Sequence, residues 1–229
     1  MRRRLLALAA GWAALVVFAP AQEVQGHGLV FERWVRDTFF DGYKPASYTQ
    51  RWDIPASANR AHGGIPVNPK AVKHGTAVDL GDALRQYEID ESFMLIVGFW
   101  EQNGDEKRFV NIIAPVITPE LWRQLWGPVT YADLRRLDAL IKDPGPPIEE
   151  IRRRALQMKN SPPFTAAVIQ VNPKIDERGQ RRLQCSIRFS DVFKYLAPGA
   201  DARPQAAPAL FGIEYPGGIA SKARAAKQD

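Results

Sequence analysis

Three charged residues, Glu32, Asp53 and Lys70, have the types and order that could carry chemistry in this chain. Glu32 lies in an amphipathic stretch, Asp53 follows Trp52 at the end of a short extended segment, and the turn His62-Gly63-Gly64 leads into Ile65-Pro66-Val67-Asn68-Pro69-Lys70. An acid on a helix, an acid ending a strand and a lysine on the adjoining strand can converge although they are distant in sequence. Two carboxylates so placed would hold a hard divalent cation, Mg²⁺ or Mn²⁺, through oxygen. The lysine would position and activate a water, or stabilise charge building on a phosphate. Asn68 would orient that water or the substrate.

At these residues the chain resembles the PD-(D/E)xK superfamily, the restriction-endonuclease-like nucleases, over about residues 27–114. The resemblance implies an α/β fold with a mixed central β-sheet flanked by helices and a restriction-endonuclease-like core. It gives Glu32 the place of the first-helix glutamate, Asp53 that of the strand aspartate, and Lys70 that of the lysine closing an acid-x-lysine triplet. Asn68 stands where the family usually has an acid, and Pro69 removes a ladder donor, which belongs at an edge or a bulge. The implied activity is hydrolysis of nucleic acid by metal-activated water, with Glu32 and Asp53 as ligands of Mg²⁺ or Mn²⁺ and Asn68 and Lys70 completing the catalytic set.

Other cations and polar groups are expected to bind the phosphate backbone. Lys73, Arg85 and Gln86 come directly after the lysine strand, and Arg178, Arg181 and Arg182 crowd a turn that leads into a late strand. Consecutive Arg152, Arg153 and Arg154 point in different directions around a helix and read as solvated surface. Most tryptophans sit at periodic apolar positions and read as core.

Two readings from other classes compete. A signal cut after Gly26 would leave His27 as an amino-terminal residue able to bind copper with His62 or His74, as in lytic polysaccharide monooxygenases. A non-catalytic exported domain could keep the nuclease-like scaffold and bind a polyanion or a protein partner, because fold does not dictate function. There is no Gly-x-Ser-x-Gly and no phosphate-loop pattern. Cys185 is the one cysteine, so no intrachain disulfide forms.

The elements that must position these residues follow from periodicity. Apolar residues 31, 34, 35 and 39 predict a helix over 29–40, stopped by Asp41-Gly42. Segments 50–54, 65–72 and 76–80 read as short strands, 82–87 as a helical turn, and the unbroken apolar run 93–100 as a central strand buried on both faces. A hairpin partner follows at 107–116. Thr118-Pro119 marks a helix start for 119–125, and Thr130 with Asp133 a capping box for 131–142. A helix over 148–159, strands over 166–171 and 182–189, and a helix near 191–196 complete the order.

Residues 1–21 predict a secretory signal: three arginines, an apolar run and a small-residue cut site after Ala21 or, alternatively, after Gly26. Cleavage after Ala21 leaves 28 Lys and Arg against 25 Asp and Glu, a mild +3 rather than the full chain's +6. The apolar run is too short for a membrane span, so an exported chain without stable membrane insertion is expected, with one domain over 22–196 and an Ala/Pro/Lys-rich, partly ordered tail over 197–229.

Overall fold

The computed structural model describes residues 23–45, 50–176 and 179–220. The predicted signal segment, 1–21, and Arg178 lie outside the described residues. Helix α1 (Glu23–Phe39) is followed by β1 (Val67–Lys73), β2 (Val78–Asp82) and α2 (Ala83–Tyr87). A hairpin of β3 (Phe93–Asn103) and β4 (Glu106–Ile113) leads through β5 (Val116–Ile117) into helices α3 (Pro119–Trp126), α4 (Tyr131–Lys142) and α5 (Ile148–Lys159). Strands β6 (Gln170–Ile175) and β7 (Arg181–Ile187) follow, then a short helical stretch and the small strands β8 (Ala209–Leu210), β9 (Ile213–Glu214) and β10 (Gly218–Ala220).

The architecture is mixed α/β. In the larger sheet β3 lies between β1, which runs parallel to it, and β4, which runs antiparallel; β10 extends the sheet beyond β4, and β5 pairs with the start of β3. Strands β2, β7 and β6 form a second, antiparallel sheet. Along β3 the side chains alternate: Phe93, Leu95, Val97 and Phe99 enter one core, whereas Met94 and Ile96 enter another. Burial on both faces is why this strand reads as a continuous apolar run.

The first core is closed by α3, α4 and the second sheet. Thr118 caps α3 by accepting from the Leu121 N–H, with Pro119 at the first helical position. Thr130 and Asp133 form a reciprocal capping box on α4. Each cap satisfies N–H groups that a helix start leaves unpaired, so these two boundaries follow from local chemistry.

The second core lies under α1. Phe31 and Val35 are fully buried there, and the Phe31 ring stacks on Phe109 of β4 with centroids 4.7 Å apart. This approach requires Gly98: a Cβ at that position would stand 2.6 Å from the Phe31 ring. Gly98 therefore sets how closely α1 lies on the sheet.

Three elements differ from expectation. Helix α1 begins at Glu23, six residues before the expected start at 29. Segment 50–54 pairs through one bridge only, Ile54 with Val67. The next hydrogen-bonded pair would set Trp52 against Pro69, which has no N–H to give. Residues 164–166 form a 3₁₀ turn, so the strand expected from 166 starts at Gln170.

Beyond Leu196 the chain is tied onto the body. Asn111 Nδ2 donates to the carbonyls of Asp201 and Arg203, Arg108 to that of Ala206, and the Gln205 N–H to the Val110 carbonyl. Leu210 and Tyr215 are buried in the second core, and β10 adds an edge strand to the larger sheet.

Candidate functional site

Asp53 is positioned by its two neighbours, one in each core. Trp52 packs against Phe93 in the first core, and its indole N–H donates to Glu91 at 2.8 Å. Ile54 is fully buried in the second core. Arg51 adds a clamp, donating to the Glu88 carbonyl at 2.6 Å and to Asp90 at 3.0 Å. The Asp53 N–H, left without a ladder partner, donates to Asn68 Oδ1 at 3.1 Å.

Strand β1 brings in the lysine. Val67 and Ala71 pack in the second core and Val72 against the first, so alternation puts Asn68 and Lys70 on the face opposite Val67. Lys70 Nζ lies 3.6 Å from Asp53 Oδ2. Both side chains stay partly open to solvent, which makes the pair a modest contributor to stability and leaves it available to a ligand.

Glu32 completes the group from α1. Burial raises its carboxyl pKa above the ordinary value, and the nearby Asp53 charge raises it further; Lys70 and Arg36 act in the opposite direction. Arg36, one helical turn on, stands 3.8 Å from the Glu32 carboxylate. Thus Glu32, Asp53 and Lys70, spread over 39 residues of chain, share one electrostatic neighbourhood.

Glu32 and Asp53 also line one cleft of about 620 Å³, walled by α1, residues 42–45 and residues 50–53. Leu29, Glu32, Arg33, Arg36 and Asp37 of α1 face it at i, i+3, i+4, i+7 and i+8, a single helix stripe. The arginines were missed in the sequence because the helix was read for its apolar face. The signal was present: Arg36 stands four residues from Glu32, and Arg33 four residues from Leu29, on the same side.

Glu32 and Asp53 are the oxygen donors here that could hold a hard divalent cation. Two carboxylates border one cleft, and one of them is disfavoured as an anion by burial and by the other's charge. Among the described residues there is no cluster of three or more His, Cys, Asp or Glu able to hold a metal. Remaining ligand positions would fall to water and substrate phosphate, the usual manner of holding Mg²⁺. Asn68 Oδ1 accepts from the Asp53 backbone N–H, so Asn68 helps to position Asp53.

The other expected contacts do not gather at the cleft. Lys73 falls on the opposite face of β1 from Lys70 by strand alternation. Arg85 and Gln86 belong to α2, where the Arg85 N–H is capped by Asp82 and the Gln86 carbonyl accepts from Trp122. Arg181 donates to the carbonyls of Ile141 and Asp143, closing the end of α4, and Arg182 donates to Gln180. Arg178 lies outside the described residues.

The histidines are dispersed. His62 stacks on Phe211 at 3.9 Å and packs against Phe39 and Phe40 at the far end of α1 from residue 27, which at about 1.5 Å per residue is roughly 18 Å away. His74 packs on Phe99 and Phe189 and makes a 2.9 Å contact with the Ala202 carbonyl. Both rings serve packing.

No family model, curated protein or solved structure matches the chain. No helix among the described residues is long and apolar enough to cross a membrane.

Proposed function

We propose that the protein is an exported, metal-dependent phosphodiesterase acting on nucleic acid, with Glu32 and Asp53 holding Mg²⁺ or Mn²⁺ and Lys70 as the activating cation on a restriction-endonuclease-like core. The reading rests above all on one observation: Lys70 and Asp53 approach to 3.6 Å in a neighbourhood where Glu32 feels both charges. Support for the core comes from its order, a helix carrying an acid, an acid-bearing edge segment and a lysine strand beside the central β3. Support for export comes from residues 1–21.

A bound Mg²⁺ would supply Lewis-acid stabilisation of the phosphate and a more acidic water at neutral pH. In the reaction a water oxygen bonds to phosphorus, the bond to the leaving oxygen breaks, and the proton lost by water is balanced by the one gained at the leaving oxygen. Lys70 Nζ offers three donors beside Asp53, placed to orient the water and to bind the non-bridging oxygen on which charge grows. Asn68 fixes the Asp53 backbone, and Arg36 balances Glu32.

The test is cleavage of plasmid and of single-stranded oligonucleotide with Mg²⁺, Mn²⁺ or EDTA. Asp53→Ala and Lys70→Ala are each expected to lose about 10²-fold or more in rate. Cleavage that survives both substitutions overturns the mechanism. The second reading, a scaffold that binds a polyanion without cutting it, is favoured by the absence of a third acid at Asn68. It would show as nucleic-acid binding with no cleavage in any metal.

A further inference from the structure

The cleft carries more than the reacting groups. Arg33 and Lys44 line it, are exposed, and have no ion pair among the described residues; Arg36, by contrast, is committed to Glu32. Tyr43 and Leu29 supply apolar wall, Tyr43 half-buried against the second core and Leu29 46% exposed at the mouth. Asp37 sits at the other end of the helix stripe, near the turn at Gly42. Two exposed cations and an aromatic side chain therefore line the same cleft as the Glu32 and Asp53 acids.

Size limits what can enter. A volume of about 620 Å³ lies within the range of about 300–1,000 Å³ that encloses a small organic ligand. It suits a nucleotide unit. An intact duplex keeps its bases stacked inside, and its major groove alone is about 12 Å across, so its bases would not reach Tyr43.

Resting on the nuclease reading above, we propose that the cleft takes one unstacked nucleotide of a single-stranded nucleic acid. Its phosphate lies on Arg33 and Lys44 and its base against Tyr43, which makes single strands rather than duplexes the substrate class. The guanidinium matches two phosphate oxygens with parallel donors, and the lysine adds a point charge. An aromatic face accepts any base, so this arrangement selects strandedness rather than sequence.

Binding tests this without needing cleavage. Fluorescein-labelled single-stranded octamers of DNA and of RNA, and a blunt hairpin duplex, would be titrated against the full mature chain in EDTA and again in Ca²⁺, read by anisotropy. Either octamer is expected to bind about tenfold tighter than the duplex, and the two arms tell DNA from RNA. Arg33→Ala and Lys44→Ala are each expected to weaken octamer binding about tenfold, and Tyr43→Leu about fivefold or more, with thermal melting unchanged for the exposed cations. Duplex binding as tight as the octamers, or octamer affinity unmoved by both Arg33→Ala and Lys44→Ala, overturns the proposal. Octamer binding that behaves as expected with no cleavage in Mg²⁺ or Mn²⁺ leaves the single-strand cleft standing and removes the hydrolytic reading.

Discussion

Glu32 works against the stability of the fold that holds it. Its raised carboxyl pKa means that the folded chain prefers the protonated form relative to the unfolded chain. The associated stability is therefore full below the unfolded value and lost as pH rises through the folded one. Glu32→Gln is expected to melt higher than the parent at pH 7–8, by on the order of 1–2 °C, with the gap closing as pH falls toward about 4; a melting series across pH checks it. Asn68→Asp makes the complementary change. An aspartate can still accept the Asp53 N–H and adds a third carboxylate, so divalent cation binding should tighten about tenfold or more, measured by calorimetric titration with Mn²⁺. Glu32, Asp53 and Lys70 were legible in the sequence by type and order. Arg33, Tyr43 and Lys44 were not, because each is an ordinary surface residue until α1 and the 42–45 turn face one another.

At the scale of elements, Gly98 governs where α1 rests. A Cβ there would meet the Phe31 and Phe109 rings at 2.6–2.7 Å, and both rings are buried. Gly98→Ala should cost about 1–3 kcal/mol by overpacking and lift α1, carrying Glu32 away from Asp53. Urea denaturation measures the first effect and the loss of divalent-dependent stabilisation the second. Adding Phe31→Leu should recover part of both, a coupling visible in a double-mutant cycle. The helices and the β3–β4 hairpin could be read locally, since Thr118-Pro119, the Thr130–Asp133 box and the 93–100 run each carry their own signal. The division into two sheets could not. Nothing near Val78 states that it pairs with Ile187, more than a hundred residues away.

For the whole molecule, the segment after Leu196 is part of the structure that supports the site. Tyr215 packs on Phe31, Trp34 and Phe109, so it braces α1 from the side opposite the cleft stripe. Tyr215→Ala should cost about 3–5 kcal/mol, as for large aromatic truncations in cores, and lower cleavage in step with α1's displacement; urea melts and rates on the same preparation check this. The Ala-, Pro- and Gly-rich composition after Leu196 hid this role. A few anchors, Leu210 and Tyr215 above all, hold a stretch whose other residues contribute mainly backbone hydrogen bonds.

The placement of Asp53 between Trp52 in one core and Ile54 in the other has a temporal meaning as well as a spatial one. Neither core alone can aim that carboxylate, and the α1 acid reaches it only when the second core has closed. A chain with either half unformed has its acids and its lysine but no shared centre. On the proposed reading, a metal centre would form only once both cores are in place.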